Sequence, residues 1–373
     1  MSSARYKISF CIVCMNRLHQ LKETLLTNIS DNSDYKNLEF ILLDYNSGDG
    51  LERWVKEHLT GFISSGLLVY YRTYEPEKFN HSHSKNMAFN LATGDIVCNI
   101  NADHYTGPGF AAYVNNCFSN KPGSVLTTID YYNIRADYKP ARDLYGKVCV
   151  KKSDFLKAGG FDEQMVNYGF EDWDFVNRLE LAGLNRVFID DPSFLKFTVH
   201  DQAERYQLPD HQLTVHVLYI HYITPAESEI LILYKNGRFG KGILLDNSVS
   251  HSNDCRFAYQ SRNCRFENSI KDNFWVTGSW AWSEDIHCCE LILPGGTKIL
   301  LAGSDDNSLI NETGSARYYR IRDGQIINDI MEFLFIYENR RLMERNLENS
   351  VLRVNQGKWG SGKTYKNFEG ALV

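Results

Sequence analysis

The sequence predicts an α/β fold, a mostly parallel sheet with helices on both faces, joined to a smaller C-terminal domain that is mainly β. Three observations predict it. Up to about residue 103, short apolar runs alternate with segments of helical periodicity. From about residue 225 this gives way to short β-rich runs separated by turn dipeptides such as Asn236-Gly237 and Gly295-Gly296. The chain's 373 residues, 43% hydrophobic and 23% charged, exceed what one core usually serves. Two domains are therefore expected, 1–224 and 225–373.

Each element has a local reason. "KISFCIVCM" is an apolar run of strand length, "HQLKETLLTNI" a helix, "LEFILLDY" a strand and "LERWVKEHL" a helix. "LLVYYRT" reads as a strand, "SKNMAFNLATG" as a helix ended by Gly94, and "DIVCNINAD" as a strand. β/α alternation with short links makes a parallel sheet, whose ligands bind outside the carboxyl ends of the strands. Asp44 and Asp103, at two such ends, would face that crevice. In the second domain "EILILYKNG", "KGILLDN", "DNFWVTGSW", "CELILPGG" and "TKILLAGS" are strands, and "IINDIMEFLFIYENRRLMERNLE" is an interrupting helix. "NGRFGKGILLDN" (236–247) resembles "QGKWGSGKTYKN" (356–367), a weak repeat expected to close this domain by pairing its first and last segments.

Composition excludes several classes. A net charge of −6 offers no broad basic field, so nucleic acid is not an expected partner. No apolar run approaches the roughly 18 to 20 residues that span a bilayer, and the N-terminus lacks a signal-peptide pattern. The expectation is a soluble, cytoplasmic chain whose nine scattered cysteines are reduced thiols, and the sequons at Asn28 and Asn311 then carry no weight. "GKWGSGKT" (357–364) fits the phosphate-loop expression, but only nine residues follow Thr364, too few for the helix and sheet such a loop serves. Cys11 and Cys14 form a CxxC inside an apolar strand, which reads as buried thiols. Cys255, Cys264, Cys288 and Cys289 fit no standard zinc spacing.

Two stretches carry chemistry. In "CNINADHYTG" (98–107) alternating Cys98, Ile100 and Ala102 deliver Asn101 and Asp103 to a strand end, where a carboxylate can hold a hard cation that also binds phosphate, or simply cap the turn. In "YGFEDWDFVNRLELAG" (168–183) a helix from Glu171 to Leu181 would bury Phe175, Val176 and Leu179 and crowd Glu171, Asp172 and Asp174 into its first turn. The helix dipole favours anions there. A carboxylate so placed can take a proton from a bound hydroxyl, and Trp173 can offer a flat face to a sugar ring; a charged cap beside core aromatics is the alternative.

Together these pieces resemble the GT-A fold of nucleotide-sugar glycosyltransferases, a Rossmann-like architecture. "LEFILLDYNSGDG" looks like the second strand of family 2 enzymes, which implies that Asp44 contacts uracil. "KFNHSHSKNMAFNLATGDIVCNINAD" is similar to a segment of the β-1,4-galactosyltransferases and bacterial chondroitin-type polymerases that ends in Asp-x-Asp. "GGFDEQMVNYGFEDWDFVNRLELAGL" parallels their Gly-Trp-Gly-Gly-Glu-Asp-Asp-Asp run. The resemblance implies Asp172 as general base, Glu171 as a sugar contact, and Mn²⁺ or Mg²⁺ on Asp103 and His200. It implies donor contacts at Asn16, Arg17, Lys85, Asn86, Asn101, Ala102 and Trp173. Here Asn101 replaces the first carboxylate of Asp-x-Asp, which removes one charge, and Tyr168, Phe170 and Trp173 replace residues that shape the sugar pocket.

The function this implies is inverting transfer of a hexose or N-acetylhexosamine from a UDP-sugar to an oligosaccharide or lipid-linked glycan, in bacterial surface polysaccharide synthesis. A lipid-linked acceptor would bring the chain to the inner membrane surface. His81 and His83, on one side of an extended segment, would reach the diphosphate, and the loop 130–146 would recognise acceptor. The β domain would bind glycan, with Trp275, Trp280 and Trp282 as stacking candidates, or mediate self-association into a homo-oligomer. The alternatives are a retaining enzyme of the polypeptide GalNAc-transferase kind and a catalytically silent sugar-binding domain. A pyrophosphorylase is disfavoured because "CIVCMNRLHQ" has no glycine for a triphosphate loop.

Overall fold

The computed structural model describes residues 6–128, 146–166, 169–198, 215–224, 227–247, 266–270 and 276–372. The chain forms two compact bodies, Met1–Val199 with Ile336–Val373, and His200–Phe335.

The first body is built on a nine-stranded sheet. In chain order its elements are β1 (Ile8–Cys14), α1 (Leu18–Asp31), β2 (Leu38–Tyr45), α2 (Leu51–His58), α3 (Thr60–Ser64), β3 (Leu68–Thr73), α4 (His81–Leu91) and β4 (Ile96–Asn99). There follow α5 (Phe110–Asn120), β5 (Ser124–Thr127), β6 (Val148–Lys151), α6 (Lys152–Ala158), α7 (Glu171–Leu181) and β7 (Asn185–Phe188). The sheet order is β18-β17-β3-β2-β1-β4-β6-β5-β7, where β17 (Tyr365–Lys366) and β18 (Glu369–Leu372) come from the far C-terminus. Strands β3, β2, β1 and β4 are parallel, while β6 runs antiparallel to both β4 and β5. The sheet is thus parallel in its centre and mixed at its flanks.

Period-two alternation explains why helices cover both faces. Ile8, Phe10, Ile12, Phe40, Leu42, Ile96 and Cys98 point into one core with Leu21 and Leu25 of α1, Val55 of α2 and Val114 and Phe118 of α5. Their strand neighbours Cys11, Ile41, Leu43 and Val97 point into the other with Phe89 of α4, Phe155 of α6 and Phe175, Val176 and Leu179 of α7. Strands buried on both faces read as continuous apolar runs, and for that reason "LEFILLDY" coincides with β2 to the residue. The order of strands switches at β1, with β2 and β3 laid to one side and β4 to the other, the topological point at which a crevice forms outside the carboxyl ends.

The second body is antiparallel. β9 (Glu227–Tyr234), β10 (Arg238–Asn247), β12 (Val276–Ser283), β13 (Cys288–Ile292), β14 (Lys298–Gly303), β15 (Ser308–Asn311), β16 (Arg317–Arg320) and β8 (Val215–Thr224) pair in that order. β8 then pairs with β9, closing a ring, and β11 (Phe266–Ile270) adds to β10. Closure satisfies strand edges, and Leu231, Leu233, Phe239, Cys289, Leu291, Leu301 and Leu309 form its apolar core. The 25-residue helix α8 (Gly324–Glu348) contains residues of both bodies.

Two expectations change. The division at 224/225 moves, because β8 lies before that point yet pairs with β9 and β16. The repeat at 356–367 does not close the β domain: Tyr365 and Lys366 pair with Arg72 and Tyr71 of β3, whereas 238–247 pair with β9, β11 and β12. The phosphate-loop look-alike is part of this docked segment, with the Asn90 amide donating to the Trp359 and Gly360 carbonyls and the Gly360 amide donating to Glu163. Cys11, Cys14, Cys288 and Cys289 are free, buried thiols, as expected. Trp275 and the loop 130–145 lie outside the described residues. Trp280 donates its indole N–H to the Tyr234 carbonyl and stacks on His216, and Trp282 meets His287 edge-on, so both are held by neighbours within the barrel.

Candidate active site

Glu171 and Asp172 begin α7, as the sequence predicts, with Phe170 before them in a left-handed conformation (φ 65°). Both carboxylates are buried, and among the described residues Lys85 is the cation hydrogen-bonded to both. Lys85 Nζ, from α4, donates to Glu171 Oε1 at 2.8 Å and to Asp172 Oδ1 and Oδ2 at 2.7 and 2.8 Å. Burial raises the pKa of each acid and Lys85 lowers it, but one ammonium cannot compensate two carboxylates fully. Glu171, with His81 also near at 3.8 Å, is held below the ordinary glutamate range, and Asp172, desolvated and beside Glu171, is pushed above the ordinary aspartate range. Burial disfavours charge on Lys85, yet the two acids overcome it and raise its pKa. Glu171 Oε2 is buried with no hydrogen-bond partner among the described residues, so its acceptor capacity is unused there.

The strand-end motif reaches the same place. Gly146 (φ +102°) lies between the two: a Cβ there would stand 3.0 Å from Asp172 Oδ2 and 3.3 Å from Asn101 Nδ2. Asn99 Nδ2 donates to the Gly146 carbonyl at 2.6 Å and to Asn101 Oδ1 at 3.0 Å, tying the motif to this glycine. The Asp103 side chain is 25% exposed, and its carbonyl accepts from the Thr198 amide at 2.9 Å. Thr198 is the last described residue before 199–214, so His200 lies outside the described residues. Among the described residues no three His, Cys, Asp or Glu side chains gather into a metal site. The partly exposed carboxylate of Asp103 nonetheless suits a hard cation that takes its remaining ligands from elsewhere.

Other predicted contacts have different roles. Asp44 is fully buried, accepting from Tyr70 Oη and the Ser47 amide, both at 2.7 Å, with Arg72 at 3.5 Å, so its oxygens are engaged within the protein. Asn86 is fully buried and its amide is used entirely on the Phe161 backbone and Glu163, which makes it a brace for the 160–163 turn. Asn16 (φ 55°) accepts from the Gly48 amide at 2.7 Å, joining the β1–α1 and β2–α2 loops beside Arg17. The Ala102 carbonyl accepts from Thr24 and its methyl group packs in the core. Trp173 is half-buried, edge-on to Phe170 at 5.1 Å. His81 and His83 are helical rather than extended, because Asn80 caps α4 by accepting from the His83 amide. Both His83 ring nitrogens are engaged, with Tyr45 Oη and the Ser361 carbonyl. Asp174 turns inward to Arg178 and Asn346.

Sequence reading missed Gly146, whose only signal is a glycine before an apolar strand, and the role of Lys85 as counter-ion. A separate cavity of about 470 Å³ opens at the β2–α2 loop, lined by Ser47, Gly48, Gly50, Glu52, Arg53, Lys56 and Arg72.

An α/β body whose strand-end Asn-Ala-Asp meets an acidic helix start at its carboxyl-end crevice is the nucleotide-sugar-binding class of GT-A fold. Residues 9–178 match the Glycosyl transferase family 2 model. Over 40 residues the chain is 50% identical to chondroitin sulfate synthase 3 of Homo sapiens and of Mus musculus, a stretch that is 11% of this chain and 4% of those proteins. Similar solved structures include the Pyrobaculum calidifontis mannosyltransferase PcManGT in complex with GDP-Man and Mn²⁺ (18% identity, 56% of this chain and 62% of that one, TM-score 0.43). S. aureus TarS 1-349 in complex with UDP-GlcNAc (15%, 52% and 59%, 0.40) and the catalytic domain of Drosophila β1,4-galactosyltransferase 7 in complex with xylobiose (15%, 54% and 74%, 0.36) are also similar.

Proposed function

We propose that this chain is an inverting glycosyltransferase that moves a hexose or N-acetylhexosamine from a UDP-sugar to a glycan hydroxyl with Mn²⁺ or Mg²⁺ bound, in bacterial surface polysaccharide synthesis at the cytoplasmic face of the membrane. The observation that carries it is the meeting of Asn101 and Asp172 at Gly146, beside a Glu171 oxygen that has no partner among the described residues. No described helix is long and apolar enough to cross a membrane, which fits a chain that reaches a lipid-linked acceptor from one side.

In this reading Asp172 accepts the proton of the acceptor hydroxyl as that oxygen attacks the anomeric carbon. Attack from the face opposite the leaving diphosphate inverts the centre. Glu171, kept ionised by Lys85, accepts a hydrogen bond from a sugar hydroxyl through Oε2 and orients it. Asn101 offers its amide to a ribose hydroxyl. Asp103, with His200, would hold the divalent ion, which when bound neutralises charge gathering on the departing diphosphate. The barrel serves glycan binding or self-association.

One observation favours a second reading. Lys85 occupies both oxygens of Asp172, the arrangement expected of a sugar-binding domain that no longer transfers. Incubating the chain with UDP-sugars, Mn²⁺ and glycan acceptors separates the two. Transferred sugar of inverted anomeric configuration by NMR supports the proposal; retained configuration indicates the GalNAc-transferase kind, and donor binding without turnover the silent domain.

A further inference from the structure

The turn bearing Glu171 and Asp172 is held from behind by α8, 170 residues further along the chain. Asn339 Nδ2 donates to the Gly169 carbonyl at 2.8 Å. Asn346 Nδ2 donates to Asp174 Oδ1 at 2.8 Å and to Asp162 Oδ2 at 3.1 Å. Seven residues apart, these two asparagines share one helix face, and both are buried. Their contacts fall on either side of Phe170, whose left-handed backbone a non-glycine residue holds only when its surroundings compel it. The contacts on the two acids are also completing ones: Asp174 Oδ2 already accepts from Arg178, and Asp162 Oδ1 from the Gln164 amide. Without the amide of Asn346, two buried carboxylate oxygens would lose a donor that they share.

We infer that Asn339 and Asn346 are positioning residues for the Glu171–Asp172 pair, so that the C-terminal helix sets the geometry of a site to which it contributes no reacting group. The inference rests on the proposed transfer reading only in taking those carboxylates as the acid–base groups. Asn346→Asp is the most telling substitution, since it keeps the shape of the side chain and removes the donor. It also sets a third carboxylate beside Asp162 and Asp174, so Asn346→Leu, which removes the donor without adding charge, is its control.

The test compares the full native chain with Asn339→Leu, Asn346→Leu and Asn346→Asp, reading hydrogen–deuterium exchange by segment and the steady-state kinetics of UDP-sugar turnover. The expected result is faster exchange confined to 162–176, with β1 to β3 unchanged. It includes kcat lower by about tenfold to a hundredfold at a donor KM within about twofold, the signature of misplaced groups. Relative to the native chain at the same pH, Asn346→Asp should recover as pH falls, because a protonated carboxyl again donates. Native exchange and native kcat in all three variants would overturn the inference, as would an Asn346→Asp variant indistinguishable from native or exchange that rises evenly across the whole sheet. A native chain that turns over no donor contradicts the proposed function instead, and the exchange pattern still decides the inference.

Discussion

Lys85 Nζ lies 2.7 Å from one oxygen of Asp172 and 2.8 Å from the other, so the residue proposed as general base rests in the grip of the cation that keeps it ionised. The same ammonium reaches Glu171 at 2.8 Å. This sharing sets how the site responds to pH.

A base works when deprotonated, so the rate should rise with pH through the Asp172 pKa, which burial and Glu171 place above the ordinary aspartate range. Lys85 is the main group opposing that rise. Lys85→Met should therefore move the acid limb of the kcat/KM profile to higher pH, while Lys85→Arg, which keeps the charge, should leave it near the native position. An unmoved limb in Lys85→Met would remove Lys85 from this role.

Asp172→Asn keeps the size of the side chain and removes the base. Turnover should fall by about 10² to 10⁴, the usual worth of general base catalysis, with donor affinity by titration little changed. Equal losses in affinity and turnover would make Asp172 a binding residue.

Gly146 joins the two halves of the site. Its φ of +102° suits glycine, and a Cβ would approach Asp172 Oδ2 to 3.0 Å. Gly146→Ala should cost about 1 to 2 kcal/mol of stability through the backbone alone and should lower turnover by displacing Asp172. Denaturant unfolding and initial rates, measured side by side, check both parts.

The fold was largely legible because its cues are local. β2 is an uninterrupted apolar run, and α7 begins where acids crowd a first turn and ends at Leu181 as its periodicity indicates. The acids themselves were legible as a group but not individually: Asp174 shares their spacing and turns into the core, because it alone faces Arg178 one helical turn on. Asp44 reads as a crevice residue from its strand end, yet Tyr70 and Ser47 claim it. The docking of Tyr365 on Arg72 and the counter-ion role of Lys85 are contacts between distant segments, which no periodicity encodes. The α4 start at His81 turned on one capping side chain, Asn80, that places Lys85 a turn into the helix.

The C-terminal segment gives a further check. Asn355 donates to the Gly159 and Phe161 carbonyls and accepts from the Glu163 amide, and Trp359 packs edge-on against Phe155 at 5.3 Å. Trp359→Ala should destabilise the first body by about 2 kcal/mol, as expected for uncovering a partly buried aromatic ring. A native melting temperature in that variant would show that the segment is dispensable to the sheet.

The most direct measurement of the central claim, that Asn101–Asp103 and Glu171–Asp172 form one donor site, is the Mn²⁺-dependent thermal stabilisation of the chain by UDP-sugars. A ligand that binds only the folded state raises apparent stability. The expected outcome is a rise in melting temperature that needs both UDP-sugar and Mn²⁺ and is lost in Asp103→Ala. A chain that shows no such rise, or an Asp103→Ala variant whose Mn²⁺ dependence is intact, would contradict it.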